Sequence, residues 1–344
     1  MPFDPPVQYA FAPEEKECAD ARMTAADEDP TPPPFVTCTD WRLHVLFKEG
    51  QGRQDIGILF GVSCGAHRSS GDECIGDIGL SDAASMVRVN ESHYRTVPLQ
   101  VSRDGHRVAY FSKKHLKFVA WDLPTAQTKA ISPRLDPQSL DDLSGLEISP
   151  DGGFFAVAFH GARPRLLITE FATGKTTTLN GYCSTYGMSR KASWIAVSRE
   201  CSEEDGTYTE DEGLVTILKR NGEVVSEWKG SEYASVLSPN GRTTVEIHST
   251  PTEDTDEYVI TRDAMTGRPI KKFKLRLLSE PSDAIGDCWL NDEEYVVKAE
   301  PPESGDGSFG YYRLNVRSGT SHRIRDFKLS LDGDVSMGTI FARD

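Results

Sequence analysis

The 344-residue sequence contains no run approaching the roughly 20 consecutive apolar residues that a membrane helix requires. Insertion of this chain into a membrane is therefore not expected. The N-terminus also lacks the basic and apolar segments of a secretory leader. Basic residues are few beside acidic ones, 38 against 53, for a formal net charge of −15. A field of that sign opposes nucleic acid and anionic lipid, so neither is expected as a partner. Hydrophobic residues are only 38% of the chain, which suits short strands that expose alternate side chains. The eight histidines are scattered singly, without the spacing of a zinc site.

What the chain does have is repetition. From about residue 99 an apolar strand, a Ser-x-Asp-Gly turn, two further strands, a tight turn and a fourth strand recur in the same order. The first turn reads SRDG from Ser102, SPDG from Ser149, SRKA from Ser189, SPNG from Ser238 and LNDE from Leu290, with SLDG again from Ser330. Asp-Gly and Asn-Gly are what a tight hairpin needs, because Gly accepts positive φ and the Asp or Asn side chain caps the turn backbone. Each turn precedes a β-rich run: RVAYFS, FFAVAF, WIAVS, TTVEI or EYVVKA. The interval of about 40 to 52 residues is that of a propeller blade, beyond that of leucine-rich or tetratricopeptide repeats.

These observations predict an all-β chain forming a single β-propeller of about six four-stranded blades, with seven as the alternative. Residues 1–35, with PFDPP, AADEDP and TPPP, read as a Pro-rich acidic tail or linker. Residues 36–344 read as the propeller: an irregular N-terminal blade over 36–98, regular repeats over 99–328 and a closing strand over 329–344. The irregular blade takes its strands from WRLHVLF, DIGILFGV, SMVRV and YRTVP, interrupted by a loop from Cys64 to Leu80. SLDGDVSMGTIFA begins a repeat without ending it, so N- and C-terminal strands are expected to pair and close the ring.

The seven cysteines fit disulfides better than a zinc site. Cys64 and Cys74 flank the polar loop GAHRSSGDE, Cys183 and Cys201 fall on adjacent strands of one hairpin, and Cys18 and Cys38 are available for a third pair. Cys288 is left over as a small apolar side chain. Disulfides imply an exported or cell-surface protein whose leader or anchor lies outside this chain. Seven reduced thiols would instead place it in the cytoplasm.

SPDG at Ser149 and the later turns ATGK and MTGR, at Gly174 and Gly267, give the chain a family likeness. Over roughly residues 99–325 it resembles the WD40-like repeats of the TolB family of propellers. That resemblance implies blade architecture, and it is shared by proteins of many functions.

Several motifs point toward chemistry. Gly61-Val62-Ser63-Cys64-Gly65 matches a nucleophile elbow after a strand, but AHRSSGDE lacks the apolar period of the helix that should follow. Thr173-Gly174-Lys175-Thr176 ends like a phosphate-binding loop between strands, where a hairpin turn fits better. Glu203, Glu204, Asp205, Glu210, Asp211 and Glu212 form one acidic loop; Glu253, Asp254, Asp256 and Glu257 form another. Neither alternates its oxygens as a calcium loop does. Both join the second and third strands of neighbouring repeats, so they are expected on one side of the disc as a negative rim.

The expected function is therefore non-catalytic: recognition or scaffolding of a protein or peptide partner, as a monomer or within a hetero-complex, with no cofactor. The alternative is a lactonase-like hydrolase holding calcium in a central channel. Its candidate ligands are Glu147 and Asp287, and Gln100, Tyr186 and Ser235 at the other blades do not complete a ring.

Overall fold

A computed structural model of the chain describes residues 7–12, 36–38, 41–48, 59–64, 73–90, 93–199, 213–230, 236–249, 257–277, 283–300, 309–327 and 335–338. The fold is an all-β, six-bladed propeller built of antiparallel sheets. The chain divides into two compact units, Met1–Val157 with Thr169–Thr176 and Asp332–Asp344, and Ala158–Ile168 with Thr177–Leu331.

The first unit opens with β1 (Val7–Phe11), β2 (Val36–Cys38), β3 (Arg42–Lys48), β4 (Leu59–Cys64), β5 (Glu73–Gly79), β6 (Met86–Arg88) and β7 (Tyr94–Thr96). Blade one is five-stranded, in the order β28-β1-β3-β5-β4, with β28 (Val335–Met337) supplied by the C-terminus. Ala10 faces Ser336 across the β1–β28 ladder, so the two ends of the chain do pair. The N-terminal partner, however, comes from the segment expected to be a tail. Val7 and Ala10 are fully buried, in a core cluster with Trp41, Leu43 and Val45. Prolines 5, 6 and 13 bound the strand VQYAF without interrupting it, and a composition averaged over 35 residues hides so short an apolar run.

The expected first blade is also redrawn. WRLHVLF becomes β3 and LFGVSC becomes β4, but residues 73–79, expected in a loop, form β5 between them in the sheet. SMVRV and YRTVP contribute β6 and β7, which join β2 in a separate three-stranded sheet. The regular repeats hold their expected places.

Blade two is β8 (Gln100–Val101), β9 (Arg107–Ser112), β10 (Lys117–Asp122) and β11 (Gln127–Ala130). A short helix, α1 (Pro137–Asp141), follows, capped by Asp136 Oδ1 accepting from Ser139 N at 2.8 Å. Blade three, β12 (Leu143–Ile148), β13 (Phe154–Phe159), β14 (Arg165–Glu170) and β15 (Thr176–Asn180), contributes residues to both units. FFAVAF in β13 is buried at every position, as a strand covered on both faces must be.

The second unit continues with blade four, β16 (Ser184–Met188), β17 (Ile195–Ser198), β18 (Gly213–Leu218) and β19 (Val224–Gly230). Blade five is β20 (Val236–Leu237), β21 (Thr243–Ser249), β22 (Glu257–Asp263) and β23 (Pro269–Lys274). Blade six is β24 (Asp283–Trp289), β25 (Glu294–Glu300), β26 (Phe309–Asn315) and β27 (Ser321–Phe327).

One serine hydroxyl organises the first turn of blades two to five. Ser102, Ser149, Ser189 and Ser238 accept the amide of the residue five positions on, at 2.9, 3.0, 2.8 and 3.0 Å. In three of these turns the hydroxyl donates in turn to Asp104, Asp151 or Asn240, and a glycine follows at φ of 69°, 63° or 72°. In blade four, Lys191 and Ala192 replace Asp-Gly. The hydroxyl then donates back to Trp194 O at 3.2 Å, and Lys191 and Ala192 both sit at positive φ, 59° and 47°.

A second recurrent bond ties blade to blade. In blades two, four and five the third residue of the fourth strand donates to a carbonyl in the next blade's last turn. Lys129 Nζ reaches Phe171 O and Ala172 O at 2.6 and 2.8 Å, Ser226 Oγ reaches Met265 O at 2.5 Å, and Lys271 Nζ reaches Arg317 O at 2.5 Å. Tight turns leave outward carbonyls unpaired, and each of these bonds satisfies one.

The left-handed backbone of the blade-four turn costs an L-residue about 1–2 kcal/mol. Restoring the repeat with Lys191→Asp and Ala192→Gly together is expected to raise stability by about 1–2 kcal/mol. Urea unfolding should show a higher midpoint at unchanged slope; a lower midpoint would mean that this turn is not a degraded copy of the others.

Candidate functional site

The second unit has two chemically different ends. At one end the first turns of three blades meet: Arg190 N donates to Pro239 O at 2.8 Å, and the Arg190 guanidinium lies 3.3 Å from Asp292. Second strands therefore finish, and third strands begin, at the opposite end, because successive antiparallel strands alternate direction; the sequences between them are the second-to-third-strand connections. In blades four, five and six these are residues 199–212, 250–256 and 301–308. Beyond Arg199 they contain acidic residues and no lysine or arginine.

Glu203, Glu204, Asp205, Glu210, Asp211, Glu212, Glu253, Asp254 and Asp256 lie in these connections, outside the described residues. Glu257 does not belong with them. It opens β22 opposite Ser249, is 9% exposed, and its carbonyl accepts Leu275 N at 2.8 Å. Ladder pairing at that position draws it into the sheet, correcting the expectation of a loop acid.

The root of the blade-four connection is firmly held. Arg199 lies over the Tyr182 ring at 4.9 Å, donates to its hydroxyl at 2.7 Å and stands 3.3 Å from Glu227. Cys183, beside Tyr182, is buried and disulfide-bonded, and its amide donates to Ser198 O at 3.1 Å. Its expected partner Cys201 and Cys18 lie outside the described residues. Cys64 and Cys74 face one another across the β4–β5 ladder, a register compatible with disulfide reach. Cys38 stands on β2 opposite Met86, and Cys288 on β24 is a thiol.

Blade five carries a buried acid that the sequence reading did not select. Thr244, Glu246 and His248 alternate onto one side of β21. Glu246 is fully buried, taking a hydrogen bond from Arg262 Nε at 2.9 Å and lying 3.1 Å from His248 Nε2. Burial alone would raise its pKa, but the hydrogen bond to His248 and the charge and hydrogen bond of Arg262 hold it below the usual value. The Arg262 guanidinium also lies 5.9 Å over the Trp228 ring and donates to Gly267 O at 3.1 Å. Removing one member of such a buried pair characteristically costs about 3–5 kcal/mol, so this cluster ties β21 to β22 within blade five and touches blade four through the Trp228 ring. Its signal in the sequence was the T-x-E-x-H alternation. Arg262 joins it because Thr244 faces Arg262 in the ladder, a register set by the intervening connection.

Blade six holds the one strongly shifted carboxyl of the two metal-ligand candidates. Asp287 occupies a bulge in β24, between the Gly286–Val297 and Trp289–Tyr295 pairs. Protein surrounds its carboxyl although the residue keeps some solvent access. Burial pushes its pKa to about 6, against the pull of Lys298. Across the sheet, Tyr311 faces Lys298, and its phenol is raised by burial first, then by Asp287 and the Cys288 thiol. Glu147 is half-buried on β12 in the other unit. Among the described residues no three His, Cys, Asp or Glu side chains cluster as a metal site would need. Gln100 is engaged with Ser336 Oγ at 3.3 Å, Tyr186 packs against the blade-four core, and Ser235 lies outside the described residues.

The other motifs resolve into strand and turn. β4 runs through Ser63 to Cys64, so Ser63 is a ladder residue opposite Ile75 and not the tip of an elbow. Thr173 to Thr176 is a hairpin turn, with Gly174 N donating to Glu170 O at 2.8 Å and Gly174 at φ 70°. Among the described residues no helix is long and apolar enough to cross a membrane.

No protein-family model matches the chain, and no curated protein matches it either. Among solved structures it is similar to the β-propeller domain of the Trilobed protease from Pyrococcus furiosus, at 13% identity over 70% of this chain and 73% of that one, TM-score 0.42. It is also similar to the Cps50 (Swd1) β-propeller domain of Myceliophteria thermophila, at 14% identity over 67% and 73%, TM-score 0.39. A third likeness is to Pyrococcus horikoshii acylaminoacyl peptidase, at 14% identity over 66% of this chain, TM-score 0.42. The chain spans only 39% of that peptidase.

Because Asp287 titrates higher when folded than an ordinary aspartate near pH 4, its contribution is fully present below about pH 4 and is lost as pH rises through about 6. Asp287→Asn is therefore expected to gain about 1–3 kcal/mol over the parent chain above that range and to match it at low pH. Denaturation at the two pH values checks this; an equal difference at both would remove the titration as the cause.

Proposed function

We propose that this propeller is a binding module that recognises a protein or peptide with a basic contact surface. The binding end is the one from which 199–212, 250–256 and 301–308 emerge. The observation that supports this reading is the composition of three consecutive connections, which hold no lysine or arginine beyond Arg199, between second and third strands whose facing ends lie at one end of their blades. Rigid blades present such connections without cost to the sheets beneath them, and a one-signed surface steers and selects an oppositely charged partner. No cofactor enters this reading.

The test is affinity capture from the native source with the parent chain and with a variant carrying Glu203→Gln, Glu204→Gln, Asp205→Asn, Glu210→Gln, Asp211→Asn and Glu212→Gln. Salt-sensitive capture of a basic protein, lost in the variant, is expected. Capture unchanged by the six substitutions would sink the proposal.

We further propose that the partner is met outside the cytoplasm. Cys183 in its disulfide and the facing of Cys64 with Cys74 support this. Thiol labelling of the denatured, unreduced protein from its native source should then mark Cys288 alone; labelling of all seven cysteines would reverse it.

A further inference from the structure

At the opposite, turn-bearing end of the second unit a cavity of about 420 Å³ opens between the turns of blades five and six. Arg242, Lys271 and Arg317 line it with Ile270, Val316 and Asp292. Three cations stand there against one carboxylate, and that carboxylate is already 3.3 Å from the Arg190 guanidinium. In a chain of formal charge −15, a concentration of cations around a concavity makes a local field opposite to that of the whole molecule.

The cations are held in different ways. Lys271 Nζ is positioned by Arg317 O at 2.5 Å and by the Phe273 ring at 5.1 Å, neither of which neutralises it. Arg317 lies 3.0 Å from Glu293 in an exposed pair, the kind that contributes little and exchanges readily. The Arg242 guanidinium makes no ion pair among the described residues, while its backbone is fixed by Arg242 N donating to Asn240 Oδ1 at 2.9 Å. Beside them Ile270 is 61% exposed, the most exposed of the large hydrophobic side chains described, with Val316 behind it. An apolar wall next to fixed positive charge is the composition of a pocket for an amphiphilic anion, in the size range of small-molecule sites.

We infer that this cavity is an anion site for a ligand bearing an oxyanion, carboxylate or phosphate, beside a small branched apolar group. Arg242 and Lys271 take the oxyanion, and Ile270 and Val316 take the apolar group. Arg317 joins by exchanging Glu293 for the ligand, a swap that leaves its charge paired. The site is separate from the acidic connections and does not depend on the partner proposed for them.

The test follows the Ile270 δ-methyl resonance of the full chain by NMR. The titrants are N-acetylleucine, 3-methylbutyl phosphate, inorganic phosphate and uncharged N-acetylleucinamide. A saturable shift with one or both branched anions is expected, weaker with inorganic phosphate and absent with the amide. Whichever branched anion binds at lower concentration names the oxyanion. Arg242→Gln, on an exposed turn, should weaken binding about tenfold with an unchanged unfolding midpoint; Lys271→Gln should weaken binding by a similar factor while lowering the midpoint, because it also loses the bond to Arg317 O. Binding should also weaken with added salt. The inference is overturned by no Ile270 response to either branched anion, by an equal response to the amide, or by binding indifferent to Arg242→Gln.

Discussion

The described blade-to-blade junctions of this kind turn on a backbone carbonyl that its own sheet leaves unpaired. A tight turn between third and fourth strands points backbone oxygens away from its own sheet, and a donor from outside that sheet can pair them. The preceding blade answers with a side chain at a constant position, the third residue of its fourth strand, whether lysine or serine. Residue type varies because only the donor and its reach matter. Indole donors also cross between blades: Trp228 Nε1 to Ala264 O in the last turn of blade five at 3.0 Å, and Trp289 Nε1 of blade six back to Val236 O on β20 at 2.9 Å. Sheets that share so few backbone bonds with their neighbours depend on these side chains for register.

Charge is added to that frame in two places where it could only be tolerated if paired. Arg107 joins Asp122 at 2.9 Å, donates to Gly152 O at 2.7 Å and lies 4.5 Å over the Phe171 ring. Arg262 repeats the arrangement with Glu246, Gly267 O and Trp228. Arg107 bonds a carbonyl of the next blade, whereas Arg262 bonds a carbonyl of its own blade and reaches blade four only over the Trp228 ring; in both, the carboxylate is held below its usual pKa despite burial. Arginine serves because its fork can bond a carboxylate and a carbonyl at once. Asp287 is the contrary case: burial outweighs the pull of Lys298, and its carboxyl is pushed up. The contrast separates acids that a guanidinium keeps ionised from an acid that burial pushes toward its neutral form.

The second unit thus has a frame whose turns are pinned and whose charges are sorted. Its turn-bearing end gathers Arg190, Arg242, Lys271 and Arg317, while the sequence between its second and third strands is rich in acid. That sorting follows from strand alternation: any residue type confined to second-to-third-strand connections is delivered to one end of every blade. The proposed recognition of a basic partner and the inferred anion site both rest on it, at opposite ends.

The repeat was legible in the sequence because its turns are local chemistry. A serine, an Asp or Asn two residues on and a glycine at positive φ lie within one hexapeptide, so Ser102, Ser149 and Ser238 announced their blades, and even the degraded copy at Ser189 kept the serine bond. The all-β class and the blade length followed from those turns and the β-rich runs behind them. Tertiary structure alone decided which distant segments would share a sheet. The strand Val7–Phe11 closes blade one because its apolar face fits beside Trp41 and Leu43, a fit invisible within a proline-rich stretch. Residues 73–79 became a strand for the same reason. Glu246 found Arg262, and Arg242 found Lys271 and Arg317, through registers set by connections whose lengths no local rule predicts. Local hydrogen bonds wrote the blades into the sequence; long-range packing and register assembled the sites.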